Sequence, residues 1–333
     1  MKDKKLRVNP NEHTPPKSTI PAEGGLTYEE IKKQYRFYFN VVKKRYIWFA
    51  ISLLILIPGI ISLAFKGLNL GIDYKGGSMF NIRFEQQVTL TQITNALDSV
   101  GLSGQVQLSS NGDEVLIRTD VLEDEQRDAL LGAIEKEVGS FDRANLEESL
   151  VGPAIGAELK SNAIKAVAVA SILILLYITI RFKFIYAFSG IITLFHDVFV
   201  ILGLFSIFQW EIDANFIAAV LTIFGYSIND TVVILDRIRE NEKKMKKRDS
   251  YEDMVDKSIW QTMGRSIKTG GTVIIALLAI LILGGDSTKI FALAMLIGVL
   301  AGTYSSIFVA SQLVVEYKIR FGGRTGDKKT LES

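Results

Sequence analysis

The sequence predicts an integral membrane α-helical bundle of six transmembrane helices, with a folded α+β domain inserted after the first helix. Two observations predict this fold class. The 333-residue chain is 48% hydrophobic and 22% charged, with a mean hydropathy of +0.26, and this mixture indicates that apolar and charged residues occupy separate blocks. One long block of mixed polarity, residues 66–160, separates the first of six apolar runs from the other five.

Each predicted span is a run of roughly 20 mostly apolar residues, the length that a helix needs to cross the hydrocarbon core. The first run follows a long polar stretch and lacks a small-residue cleavage site, so we expect a retained anchor and not a cleaved signal peptide. The six runs cover residues 46–65, 162–180, 184–208, 214–235, 266–283 and 289–314. The chain is then divided into an N-terminal cytoplasmic segment (1–45), the first transmembrane helix (46–65), an extracytoplasmic domain (66–160), the other five transmembrane helices (161–315) and a cytoplasmic tail (316–333).

Basic residues predict the orientation. Lys and Arg precede the first span, lie between spans two and three and between spans four and five, and follow the sixth. The opposite connections, residues 209–213 and 284–288, contain neither. Because short cytoplasmic loops carry the excess of Lys and Arg, both termini are predicted to be cytoplasmic and residues 66 to about 160 to be exported.

The N-terminal segment is predicted to contain little stable structure at its start. The first thirty residues are polar and include several Pro and Gly, so we expect poor order there. Residues 27–44 predict a cytoplasmic helix. This helix either lies on the membrane, where its cations meet anionic lipid, or is a solvated juxtamembrane helix.

The inserted block begins with a predicted strand and helix. Met79, Ile82 and Phe84 indicate the strand. A helix is expected over residues 89–100, where Leu90, Ile93 and Leu97 are predicted to share one face.

The second half of the block predicts a hairpin, a helix and a last strand. The hairpin joins residues 105–108 and 115–118 through Asn111-Gly112. The helix covers residues 122–138, with Leu130, Ile134 and Val138 in register, and the last strand covers 144–150. The order βαββαβ matches the ferredoxin-like split arrangement, which is common and names no function.

A glycine-rich motif opens this block. Gly71 and Asp73 are followed by Gly76 and Gly77, directly before the first strand. Adjacent glycines suit a tight turn at the membrane surface, and a plain linker turn is the alternative. The motif lacks the spacing of a phosphate-binding loop, and the chain has no Walker A pattern, so ATP hydrolysis is not expected.

Ionisable residues inside the third span form the first candidate site, because such residues are costly in a membrane. His196 and Asp197 lie near its middle. Sequence neighbours point about 100° apart on a helix, so the two cannot both face one ligand directly. A proton relay and a structural hydrogen bond to a neighbouring helix both remain open. Asp213, outside the fourth span, either admits protons from outside or is a loop carboxylate.

The fourth span carries the second candidate site. Ser227, Asp230 and Thr231 are spaced i, i+3, i+4 and are predicted to share a face, with Asn229 beside them. An isolated buried charge is too expensive, so the carboxyl is either neutral or paired. Arg265, which opens span five, could extend inward to meet it. A carboxyl that alternates between paired and protonated suits a proton-coupled device, and a static ion pair is the alternative.

Composition excludes several classes of protein. The chain has no Cys, so disulfides and Cys-based metal sites are excluded, and its only histidines are His13 and His196. We expect no metal and no cofactor. The net charge of +2 is too small to argue for nucleic acid. An enzyme is not expected, because no nucleophile–base constellation and no paired catalytic Asp motif occurs.

These motifs together resemble the SecD/SecF family of bacterial protein export, and specifically its SecF subunits. The similar segments are residues 227–233 (SINDTVV) with 236–241 (DRIREN), 71–77 (GIDYKGG), 151–159 (VGPAIGAEL) and the His196-Asp197 pair. The first of these is highly specific, and the resemblance covers nearly everything after residue 30. Tyr74 and Leu235 stand where the family pattern has Phe. The SecD signature is absent, so we expect one half and not a fused chain.

The resemblance implies a membrane bundle of the resistance-nodulation-division superfamily, located in the bacterial cytoplasmic membrane. It implies a subunit that works with SecD and uses the proton motive force to promote preprotein translocation after the SecA step. By motif, Asp230 is the essential intramembrane carboxylate and Arg265 is its partner near the SecD interface. The implied coupling ion is the proton, with sodium in some relatives.

The resemblance also implies partners. They are SecD as a heterodimer, the SecYEG channel, SecA and YajC as complex partners, unfolded preprotein as client, and membrane lipid. Two other functions remain open. One is half of a small-molecule or lipid exporter of the same superfamily, although such a chain would usually carry a second six-helix half. The other is a passive scaffold that stabilises SecD and the channel, although a scaffold needs no carboxyl within a span.

Overall fold

The computed structural model describes residues 33, 38–109, 111–245 and 250–321. Six helices in it are long and apolar enough to cross a membrane, which confirms the number and order of the predicted spans. The helices are α1 Arg45–Phe65, α2 Ile72–Lys75, α3 Leu90–Ser99, α4 Asp124–Glu137, α5 Pro153–Arg181, α6 Phe184–Phe208, α7 Ala214–Lys243, α8 Tyr251–Leu283, α9 Asp286–Ser305 and α10 Ser311–Phe321. The strands are β1 Asn69–Leu70, β2 Gly77–Arg83, β3 Gly104–Leu108, β4 Glu114–Thr119, β5 Glu147–Val151 and β6 Glu211–Ile212.

Several spanning helices extend beyond their apolar runs. Helix α7 continues to Lys243, and α8 begins at Tyr251, well before the apolar run that starts at residue 266. Helix α5 begins at Pro153, directly after the inserted block, so this helix starts before residue 160. Hydropathy misses the extensions of α7 and α8 because both carry charged residues, while residues such as Ile238 and Val255 are buried against other parts of the protein. The sixth span contains a π-helical turn, Ser306–Ala310, between α9 and α10.

Helices α6, α7 and α9 form the centre of the bundle, and α1 packs on α6. Gly59 of α1 and Gly203 of α6 touch, because a Cβ added at Gly59 would lie 2.9 Å from the Gly203 Cα. Small residues allow such close contact between helix backbones in a membrane. This crossing fixes α1 against the face of α6 that carries His196. Helices α5 and α8 expose apolar faces, such as Leu173 and Ile275, to the surroundings of the bundle.

The inserted block forms a four-stranded antiparallel sheet in the order β3–β4–β2–β5, with α3 and α4 packed on one face. Its core includes Ile93 and Leu130, which are both fully buried. Met79 and Ile82 lie in β2 as predicted, and Phe84 directly follows it. Phe80 and Ile82 point into this core, whereas Met79 lies on the other face of β2. One predicted position is corrected. Leu90 is 51% exposed, because the helix begins there, directly after its cap residue Thr89.

The predicted hairpin and second helix of this block are confirmed. Strands β3 and β4 pair in the expected register, with Leu108 opposite Val115, and Gly112 in the turn has a φ of +73°. Ile134 and Val138 of the second helix are buried as predicted. The last strand starts later than expected, because a 3₁₀ turn, Arg143–Asn145, precedes β5.

The end of the N-terminal segment packs into the bundle. Most of the helix predicted over residues 27–44 lies outside the described residues, and its described end forms a 3₁₀ turn, Val42–Lys44. The backbone N–H groups of Val41 and Val42 donate to the buried Asp256 of α8, at 2.7 and 3.3 Å. Tyr38 donates to the same carboxylate at 2.6 Å. Val41 and Val42 are fully buried, whereas Lys43 and Lys44 are exposed, so this end is anchored in the bundle by one face.

Candidate functional site

Helix α7 presents the predicted polar residues in two directions. Ser227 and Thr231 are buried and face α6 and the π-helical turn, whereas Asp230 is half-buried and faces α8. Residues at i, i+3 and i+4 cover about 100° of a helix surface, which is wide enough to reach two different neighbours. Asn229 is exposed on the outside of the bundle. The predicted shared face is therefore divided between two polar sites.

The first site is the half-buried carboxylate of Asp230. Its Oδ1 accepts a hydrogen bond of 2.6 Å from the Ser266 hydroxyl of α8. Its Oδ2 is buried and has no hydrogen-bond partner among the described residues. A carboxylate inside a span with one oxygen unpartnered is costly while it is charged, and much less costly once it is protonated.

The structure corrects the expected pairing of Asp230 with Arg265. Within the described part of the chain the two form no ion pair. Arg265 is the neighbour of Ser266 and lies close enough to attract the carboxylate electrostatically, but its side chain is exposed on the surface of α8. Arg265 also lies near the middle of α8 and not at its start. Ser266, which sequence reasoning missed, takes the direct contact.

The second site is built around Asp197, which is fully buried. Its Oδ2 accepts hydrogen bonds from Ser227 of α7 at 2.5 Å and from Ser305 of α9 at 2.9 Å. Its Oδ1 lies 2.9 Å from the Nδ1 atom of His196. Nearby, the hydroxyl groups of Thr231 and Ser306 lie 2.7 Å apart. Asp197 therefore joins three helices of the bundle through one carboxylate.

His196 connects the same network to α1. Its Nε2 atom lies 3.1 Å from the Ser52 hydroxyl. A neutral imidazole satisfies both contacts when Nδ1–H donates to Asp197 and Nε2 accepts from Ser52. Tyr304 stacks on the ring at 6.2 Å and donates to the backbone oxygen of Trp48 at 2.7 Å. The expected hydrogen bonds to neighbouring helices are present, and a proton relay stays a prediction.

Sequence reasoning missed several members of this network. Ser52, Ser305 and Ser306 are hydroxyl residues in apolar runs, and such residues commonly bond only to their own helix backbone. The signal that could have found two of them is the adjacent pair Ser305-Ser306, where α9 ends and the π-helical turn begins. Turns of this kind are frequent at functional sites.

The four residues of the glycine-rich motif lie at the junction between the inserted block and the bundle. A Cβ at Gly71 would lie 2.5 Å from a carboxylate oxygen of Glu211, and a Cβ at Gly77 would lie 2.5 Å from the backbone oxygen of Thr119. Gly76 has a φ of +78°, which favours glycine. Asp73 accepts a hydrogen bond of 2.9 Å from the backbone N–H of Ala214, at the start of α7. The motif therefore makes close backbone contacts that a plain linker would not need.

The N-terminal end of α7 gathers carboxyl groups. Asp213 caps the helix, accepting the Phe216 N–H at 2.8 Å, so it has a structural role there. Burial raises the pKa of Asp213, and its hydrogen bond from Phe216 opposes the shift. Burial also raises the pKa of Glu211, which the Arg118 guanidinium opposes. The pKa of Tyr74 rises to about 12, through burial and the nearby carboxylates.

Comparisons with known proteins agree with these motifs. The family model described as protein export membrane protein SecD/SecF, C-terminal, matches residues 131–320, and the SecD/SecF GG motif matches residues 61–88. The protein translocase subunit SecF of Sebaldella termitidis is 42% identical, covering 83% of this chain and 90% of the relative. That of Acidaminococcus fermentans is 40% identical, covering 83% and 96%. The chain belongs to the SecD/SecF family.

Solved structures of this family share the fold. SecDF of Thermus thermophilus, described as a translocon-associated membrane protein, is 37% identical with a TM-score of 0.77 over 86% of this chain. SecDF in a super-membrane-facing form is 36% identical with a TM-score of 0.65 over 87%. This chain spans only 39% and 40% of those two SecDF chains. A SecD/SecF member with six apolar spanning helices is a multi-pass membrane protein.

Proposed function

We propose that this chain is a non-catalytic accessory subunit of the Sec protein-export machinery that works with SecD. It uses the proton motive force to promote preprotein translocation after the SecA step at the SecYEG channel. The observation that carries the proposal is the Asp230 carboxylate, held inside a span by Ser266 with its second oxygen buried and unpartnered. Such a group favours proton binding whenever a proton can reach it.

Proton binding at Asp230 would act on the contact between α7 and α8. The neutral carboxyl gains a donor and changes its bond to Ser266, so the two helices repack. The gradient supplies about 2.3 kcal/mol per charge per 100 mV, which is enough to bias two states that differ by a few kcal/mol. Sodium is the alternative coupling ion.

The partnership with SecD is supported by the outer surface of α7 and α8. Asn229, Arg265 and Lys268 are exposed within this surface, where lipid would otherwise meet them. Charged and amide groups in a span face protein or water and not lipid. A SecD subunit that covers this surface would bring its own groups to Arg265 and place this cation beside Asp230. SecYEG, SecA, YajC and unfolded preprotein are proposed as further partners.

The basic ends of the helices support a proposed orientation. Lys and Arg collect at the ends where α1 begins, α5 and α7 end, and α8 begins. We therefore place both termini in the cytoplasm of the bacterial host and the β2–β5 sheet outside the cytoplasmic membrane. The strand order β3–β4–β2–β5 with both helices on one face supports a ferredoxin-like extracytoplasmic domain.

The test is preprotein translocation into inverted vesicles that contain SecD, with and without an imposed proton gradient. We expect the gradient to stimulate the wild type and to leave Asp230→Asn unstimulated, because the amide cannot take up the proton. Asp236→Asn is the matched control, since it makes the same change on the same helix at the charged end. It should respond as the wild type does.

Equal gradient stimulation of Asp230→Asn and the wild type would overturn the coupling role and favour the passive scaffold. Loss of drug or lipid export in a deletion strain, with normal protein secretion, would instead favour the exporter half. Replacing the proton gradient by a sodium gradient in the same vesicles distinguishes the two coupling ions.

A further inference from the structure

Two short connections join the β2–β5 sheet to the bundle, and they lie side by side. One is Gly76-Gly77 at the start of β2, with φ angles of +78° and +146°. The other is Gly152 between β5 and α5. The connections touch, because a Cβ at Gly156 would lie 2.9 Å from the backbone nitrogen of Gly76. Glycine has the widest backbone freedom, so this junction has the composition of a hinge.

The segment before Gly76 belongs to the bundle side of this hinge. Strand β1 pairs with β6, and the Gly71 N–H donates to the Ile212 oxygen at 2.9 Å. Tyr74 packs in the core of the bundle and donates to the Asp213 oxygen at 3.2 Å. Asp73 holds the first turn of α7. Rotation at the hinge would therefore move the sheet and leave this segment in place.

An ion pair crosses the hinge. Arg118 projects from β4 of the sheet, and its guanidinium contacts Glu211 of β6 on the bundle side. Both side chains are largely buried, with 14% and 13% exposure. Glu211 packs against Gly71, where any larger residue would displace it. Because residue 71 is glycine, the Glu211 side chain has the space that it needs to reach Arg118.

The surroundings of Glu211 make it depend on Arg118. Asp73 and Asp213 lie close enough to repel the Glu211 carboxylate, and Arg118 is the cation that attracts it. Without Arg118, the carboxylate would be buried among like charges, which strongly favours exposure to water. The ion pair therefore favours the arrangement in which the sheet lies against the bundle.

We propose that Arg118 and Glu211 form a latch that holds the exported sheet against the outer end of α7, across the hinge at Gly76-Gly77 and Gly152. The latch itself rests on geometry. That it opens and closes during translocation rests on the function proposed above, because α7 carries Asp230 in the membrane and begins at the latch. Arg118 and Glu211 are positioning residues in this cycle.

Distances between spin labels test whether the latch exists. The chain has no Cys, so labels at Glu137→Cys on α4 and Gly285→Cys before α9 are the only ones it carries. Both positions are exposed, and a Cβ at Gly285 meets no atom within 4 Å. The measurement uses electron–electron double resonance on the full chain in nanodiscs with a cysteine-free SecD.

We expect one narrow distance distribution for the wild type. Arg118→Glu and Glu211→Arg should each give a longer and broader distribution, because like charges then meet at the latch. The double charge swap should return it to the wild-type distribution. Arg83→Glu, an exposed charge reversal elsewhere in the same sheet, is the matched control and should change nothing. Unchanged distances in both single variants, or no recovery in the double swap, would overturn the latch.

A cross-link tests whether opening belongs to the cycle. In a variant with Arg118→Cys and Glu211→Cys, a cleavable bis-maleimide that joins the two thiols would hold the sheet against the bundle. We expect gradient-stimulated translocation to be lost and to return after cleavage, and full activity of the locked protein would show that opening is not needed. Failure of the Asp230→Asn test alone would remove the coupling role and leave the spin-label result standing.

Discussion

Two carboxylates lie inside the same bundle, and their surroundings differ. Asp197 is fully buried and accepts hydrogen bonds from Ser227 and Ser305, with His196 on its other oxygen. Asp230 is only half-buried, is bonded to Ser266, and leaves one oxygen without a partner among the described residues. A carboxylate whose contacts are complete holds helices together. A carboxylate with an unpartnered buried oxygen differs strongly in free energy between its ionised and its protonated form.

The same contrast separates the two candidate roles. The Asp197 network joins α1, α6, α7 and α9, and a change there would disturb all four helices. Asp230 joins only α7 and α8, beside the exposed surface that carries Arg265. This contrast supports the proposed coupling role of Asp230, and we propose a structural role for Asp197. Among the variants Asp197→Ala, Arg118→Gln and Asp230→Asn, the first should affect the folded protein most and the last least.

Asp197→Ala should have the largest effect on stability. Three buried donors lose their acceptor at roughly 1–3 kcal/mol each, and relaxation recovers part of this, so we expect a loss of about 2–4 kcal/mol. The free energy of unfolding would be measured by SDS titration in mixed micelles. Asp98→Ala, an exposed carboxylate on α3, is the control and should change stability by less than about 0.5 kcal/mol. A similarly small change for Asp197→Ala would end its structural assignment.

Much of the fold follows from the sequence, because hydropathy and charge act over long segments. The six spans were predicted correctly in number and order. Their ends were not, since the start of α8 is stabilised by packing and by the contact of Asp256 with Val41, which are tertiary effects. Leu90 was placed on the buried face by its period alone, although a residue in the first turn of a helix can project past the core.

The candidate site was predicted only in part. The position of Asp230 in a span is visible in the sequence, and so is its spacing from Ser227. Its partner is not, because the choice between Arg265 and Ser266 depends on the rotation of α8 by one residue, about 100°. The same limit applies to Arg118 and Glu211, which are far apart in the sequence and meet only through the hinge geometry.

Arg118→Gln extends the comparison to a third carboxylate, Glu211, whose partner is a cation. In the docked arrangement, in which the sheet lies against the bundle, burial raises the pKa of Glu211 and Arg118 opposes this rise. Without Arg118 the pKa rises further, so the docked arrangement favours the protonated carboxyl. In Arg118→Gln the contact between the sheet and the bundle is then most stable at acidic pH. It is lost as the pH rises through the Glu211 pKa. Each unit of pKa difference between the docked and undocked states contributes about 1.4 kcal/mol.

The spin labels at positions 137 and 285 measure this effect. Arg118→Gln should change from the narrow to the broad distance distribution as the pH rises through the Glu211 pKa, and the wild type, whose pKa is raised less, should show the same change more weakly. Asp73 and Asp213 also face Glu211, and Tyr74 stays neutral because its pKa is about 12. Arg118→Gln combined with Glu211→Gln should remove the pH dependence. If the dependence persists in that double variant, one of the other two carboxyl groups is the titrating residue.

Asp230→Asn should have the smallest effect on stability and the largest on coupling. The amide oxygen can still accept the Ser266 hydrogen bond, and the amide nitrogen takes the place of an oxygen that has no partner in the described structure. We expect the free energy of unfolding to change by less than about 1 kcal/mol in the SDS titration, while gradient stimulation is lost. A destabilisation as large as that of Asp197→Ala would show that both carboxylates are structural. Coupling would then have to lie elsewhere, because a residue that binds and releases a proton in each cycle cannot also be essential to the fold in one protonation state.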